Sequence, residues 1–114
     1  MNTLIIVAAN PGQSHRPAEA VRLAVGLAAW QRLRVFLWLS GPAVRVLQAD
    51  LEPAVDGDLL RQMAPQLVGS GVEVWTEQDN AWLAQLNQPI LTPQPMSTAA
   101  LAAQRARMER ELTL

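Results

Sequence analysis

Glu77, Asp79 and Asn80 stand close together in a chain of 114 residues that contains no cysteine, no lysine and no tyrosine. Two carboxylates at such spacing can divide general-acid and general-base work. Each also has a plain structural use, Asp79 as the cap of a following helix and Glu77 as the polar end of a strand. His15 is the only histidine, and a histidine that acts as base or metal ligand needs an oriented partner that the sequence does not supply. It reads as a solvated loop residue. No catalytic residue and no metal site is assigned.

The missing residue types remove whole classes of chemistry. Without cysteine there is no thiol nucleophile, no persulfide carrier and no thiolate metal site within the chain. Without lysine there is no Schiff base and no P-loop, and AANPGQSH lacks both glycine-rich phosphate signatures. No cofactor is expected.

The elements that must position the remaining polar residues follow from apolar patterning. Asn2 to Ala9 is a short, nearly continuous β-branched and aliphatic run stopped by Asn10-Pro11-Gly12, as in a strand buried on both faces. Pro17 suits a first helical turn, and Val21, Ala24, Val25 and Ala28 recur at helical spacing up to Trp30. Val35 to Leu39 forms a second strand closed by Ser40-Gly41-Pro42, with a short helix expected over Ala43 to Gln48. Asp56-Gly57-Asp58 offers capping carboxylates to a helix that Pro65 kinks and Gly69-Ser70-Gly71 ends.

Val72, Val74 and Thr76 alternate with Glu73 and Trp75 in a third strand, and Asp79 is placed to cap a short helix around Trp82. A brief fourth strand is expected at Pro89 to Thr92, and Pro93 to Met96 reads as a loop. Ser97 is expected to cap an alanine-rich helix over Ala99 to Arg110, before a last strand at Glu111 to Leu114. Alternating strands and helices imply a three-layer α/β/α domain over residues 1–114, with a mainly parallel five-stranded sheet covered on both sides.

Ligands in such sheets collect beyond the carboxyl ends of the strands. That rule makes Asn10, Gly12, His15, Arg16, Ser40, Gly41, Glu77 and Asn80 the candidate binding residues, suited to a small anion near Arg16. Trp38 is expected in the core. Trp30, Trp75 and Trp82 fall at element ends or on open faces and are candidate subunit-interface anchors. The formal net charge of −1 and the scattered arginines give no basic face for nucleic acid. Leu4 to Ala9 is too short to span a membrane and lacks the flanks of a signal peptide, so a cytoplasmic protein is expected.

The segments LIIVAANPG, AEAVRLAVGLAAW, VRVFLWLSGPAV, LVGSGVEVWTE and MSTAAL, in this order, resemble the DsrE/DsrF-like (DsrEFH) sulfur-relay family over nearly the whole chain. The resemblance implies a small α/β domain of flavodoxin-like, DsrEFH-like arrangement that assembles as a homotrimer or homohexamer, with a sulfur-relay protein as a candidate partner. Aligned on GVEVWTE, the family's cysteine falls close to Glu77 and a second one near Asn80. A carboxylate cannot replace a polarizable thiolate that must both attack and leave. The resemblance therefore implies a non-catalytic binding or assembly role. The alternatives are a relay component whose reactive group comes from a partner, and a small-anion or nucleotide-binding domain.

Overall fold

The computed structural model describes residues 1–30, 33–48 and 54–114. Its centre is β1 (Asn2–Val7), whose side chains from Thr3 onward are buried on both faces. The reason is position: β1 lies between β2 (Arg34–Leu39) and β5 (Arg110–Thr113), and β3 (Glu73–Glu77) and β4 (Gln94–Met96) extend the sheet beyond β2. The strand order is β4-β3-β2-β1-β5 and every pairing is parallel, with Ile6 beside Trp38 and Trp38 beside Trp75.

That order dictates what covers each face. Stepping from β1 outward to β4, right-handed crossovers place every connection on the same side. These are α1 (Arg16–Ala28), the 3-10 helix Gly41–Leu47, α2 (Gly57–Met63) with the 3-10 helix Ala64–Leu67, and the 3-10 helix Ala81–Gln85. Ile5, Val7, Val35, Leu37, Leu39 and Val74 point to this side and pack on Ala20, Val21, Ala24, Val44, Leu47, Leu60 and Leu67. The return from β4 to β5 reverses direction, so α3 (Thr98–Arg105) crosses the opposite face, the only helix to do so among the described residues. There Leu4, Ile6, Phe36, Trp75 and Met96 pack with Leu101. Phe36 and Trp75 meet with ring centroids 4.9 Å apart.

Three local expectations are corrected. The fourth strand is Gln94–Met96, within the segment read as a loop, and Pro89 makes only an isolated bridge to Gln48. An edge strand bonded on one side tolerates the missing N–H of Pro95. The last helix ends at Arg105 instead of Arg110, because Glu109 N already donates to Asn2 O (3.0 Å) and draws the chain into pairing with β1. Asp56 holds the N-cap position of α2 in a left-handed conformation (φ 57°) without a side-chain cap bond, and Asp58 pairs with Arg61. Ser97 does cap α3, its Oγ accepting from Ala100 N at 3.1 Å.

No helix among the described residues is long and apolar enough to cross a membrane.

Candidate functional site

After β3 the chain turns to the well-covered face, and after β4 it turns to the face of α3. Neighbouring strands whose carboxyl ends lead to opposite faces open a crevice, so the switch point of this sheet lies between Glu77 and Met96, which are register partners.

Glu77 points to the α3 face and is half-buried. Its Oε2 accepts from the indole Nε1–H of Trp38, and its Oε1 accepts from the backbone N–H of Gly41 at 3.0 Å. Two fixed N–H donors therefore close on one carboxylate and form an anion cradle filled from within the chain. Gly41 makes its contact from φ +52°, a left-handed conformation that disfavours any residue with a Cβ, although the space beside it is open. The glycine is held from the other side as well. Asn80 Nδ2 donates to Gly41 O (3.0 Å) and to the fully buried Thr76 Oγ1 (2.9 Å), while Asn80 Oδ1 accepts from Trp82 N (2.9 Å).

Asn80, not Asp79, thus caps the 3-10 helix Ala81–Gln85, and Asp79 stays exposed. A short amide serves better here because it satisfies donors and acceptors together, whereas a carboxylate could not donate to Gly41 O.

A second group adjoins the first. Asn10 Oδ1 accepts from Gly12 N (2.9 Å) and from Arg45 Nη1 (2.7 Å), and the Arg45 guanidinium lies 5.4 Å from the centre of the Trp82 ring. Ser40 N donates to Val7 O at 2.9 Å and ties the β2 end to the β1 end. The structure therefore joins Asn10, Gly12, Gly41, Glu77 and Asn80 through shared contacts and sets Ser40 beside them. His15 and Arg16 are exposed at the start of α1, and among the described residues neither side chain hydrogen-bonds to this group. Arg16 N instead donates to Ser14 Oγ (3.1 Å). No cluster of three histidine or acidic side chains suited to a metal occurs among the described residues.

The tryptophans divide sharply. Trp75 is 2 % exposed and is spent in the core under α3, so it cannot anchor a partner. Trp82 is half-buried beneath Arg45, and Trp30 is 70 % exposed. Trp38, expected in the core, is half-buried and supplies the cradle donor. The available signal was its indole N–H, which needs an acceptor when it is covered. Arg45 and Thr76 were missed because nothing in their local sequence marks them.

Beside α3 lies a groove of about 840 Å³ lined by Trp38, Glu77, Leu101, Arg105, Met108 and Glu111, among others. Arg105 binds both oxygens of Glu111 (Nε–Oε1 2.5 Å, Nη2–Oε2 2.8 Å). That hydrogen-bonded guanidinium holds the Glu111 carboxyl below the usual carboxylate range.

The crystal structure of the YchN protein from E. coli, a DsrEFH-like fold, superimposes on the whole of both chains with a TM-score of 0.77 and 22 % sequence identity. The shared architecture is the fold. No family model matches the sequence, and no curated protein matches it either.

Proposed function

We propose that this protein is a DsrE-like homo-oligomeric binding module that works without a thiol. The observation that carries this reading is the state of Glu77. At the strand-switch position its carboxyl group already receives hydrogen bonds from Trp38 Nε1 and Gly41 N, so a side chain tied into the fold stands where a relay would place its reactive group. Both oxygens are engaged by neutral donors, an arrangement suited to fixing a charge in place. A persulfide relay would need a sulfur atom at this point, and the chain has no cysteine.

Assembly is supported by a separate end of the molecule. Met1, Trp30 and Val68 are 53 %, 70 % and 58 % exposed. Arg34 N bonds to Met1 O and Leu33 N bonds to Trp30 O, which puts both residues at the amino end of β2. Val68 stands just before the turn into β3 at the same end of the sheet. Exposed apolar side chains gathered at one pole favour contact with a second copy, and tryptophan is the strongest single anchor among them. This pole is opposite the Glu77 site, so contact through it does not itself cover that site.

Light scattering at micromolar concentration is expected to give the mass of three or six chains. Trp30→Ser is expected to shift the population toward smaller species while leaving the circular dichroism spectrum unchanged. A wild-type protein that remains monomeric at this concentration contradicts the assembly.

A further inference from the structure

The groove beside α3 combines an apolar wall with a charge that no cation answers. Leu101 and Met108 form its apolar side with Trp38, and Ala102 borders it from α3. Of its basic residues, Arg105 is committed to Glu111, and Arg110 is exposed on the edge strand β5. Glu77, Glu109 and Glu111 outnumber Arg105 and Arg110 in the lining. Among the described residues Glu77 has no arginine or histidine within ion-pair distance, its two donors being neutral. A carboxylate with two oxygens has lone pairs beyond those two bonds.

We propose that this groove binds a small organic cation with an aromatic body, of the arylalkylamine class. The ammonium group sits on Glu77 and the apolar body lies along Trp38, Leu101 and Met108. Two features favour a cation over an anion. With Glu111 paired to Arg105, Glu77 and Glu109 in the lining face only Arg110, and a charge-assisted bond to a half-buried carboxylate is stronger than one between neutral groups. The volume, about 840 Å³, lies in the range of small-molecule sites. This proposal deepens the binding reading and does not depend on the assembly.

Phenethylamine, phenylacetate and 2-phenylethanol share one apolar body and differ in charge, so calorimetric titration of the intact protein with each isolates the charge. Phenethylamine is expected to bind in the millimolar range or tighter, and phenylacetate at least about tenfold more weakly. Glu77→Gln, which keeps an acceptor in the cradle, should weaken the amine about tenfold and leave the alcohol unchanged. Ala102→Trp, at an exposed helix position, should block the amine and the alcohol while preserving the melting temperature. If Glu77→Gln fails to fold, Ala102→Trp alone decides. Equal affinity for phenylacetate, unchanged amine binding in Ala102→Trp, or no heat from any of the three probes overturns the proposal. A fall in assembly mass on Ala102→Trp, with no amine binding by the wild type, overturns it in favour of a second copy in the groove.

Discussion

Leu101→Ala is expected to lower the unfolding free energy by about 3 kcal/mol. Leu101 is the one buried side chain of α3, and it meets Leu4, Ile6, Phe36, Trp75 and Met96 on a face that no other helix among the described residues covers. An eight-residue helix has almost no stability of its own in water, so α3 stays in place through this contact and its serine cap. Truncating the leucine removes these contacts and leaves a void between the helix and the sheet. Urea unfolding followed by tryptophan fluorescence should show the midpoint falling with little change in slope. Ala103→Ser, on the exposed side of the same helix, should change stability by no more than about 0.5 kcal/mol. Equal effects from the two substitutions would mean that α3 does not hold the second face together.

Asn80→Ala is expected to cost about 2–3 kcal/mol, which is large for a residue in a loop. Its side chain makes three hydrogen bonds, and one of them serves Thr76, which is fully buried. Removing the amide takes the cap from the 3-10 helix Ala81–Gln85 and the donor from Gly41 O. Gly41 then loses one of the two side chains that hold its backbone, and the Glu77 cradle loosens. Asn80→Asp separates these roles, because it keeps the oxygen that caps Trp82 N but cannot donate to Gly41 or Thr76. Thermal and chemical unfolding should place Asn80→Asp between the wild type and Asn80→Ala. An aspartate as stable as the wild type would show that the donor bonds contribute nothing.

These two residues also mark what could be read in the sequence. Leu4, Ile5, Ile6 and Val7 announce a strand buried on both sides, and the turn residues after β1 and β2 locate the loops that carry Asn10 and Gly41. Period and punctuation are local properties, so the alternation of strands and helices could be read from them directly. The position of β5 beside β1 is not local. It follows from a crossover that reverses direction after β4, and it decides that α3 lies on the face opposite the other described helices, that Arg110 pairs with Thr3 in the strand register, and that Trp75 is buried.

The weak fourth strand was misplaced because Pro95 and exposed Gln94 carry no apolar alternation. In the candidate site, Glu77 and Asn80 stood out by type and position, but their opposite orientations did not. Adjacent strand residues face opposite ways, so Glu77 reaches Trp38 on one face while Thr76 meets Asn80 on the other. The groove was invisible for a further reason. Trp38, Glu77, Leu101 and Met108 come from four segments that only the completed topology brings together.

The Trp38 indole N–H reports most directly on whether Glu77 is the built-in anion of this site. Glu77→Ala removes the carboxylate and leaves Trp38 Nε1 and Gly41 N as open donors. In a proton–nitrogen correlation spectrum, the Trp38 indole resonance, identified by its loss in Trp38→Phe, should move in Glu77→Ala and return toward its wild-type position as sodium acetate is added. The wild-type resonance should ignore acetate. A Trp38 signal at the same position in both proteins, or one that responds to acetate equally in both, would contradict an anion cradle occupied by Glu77.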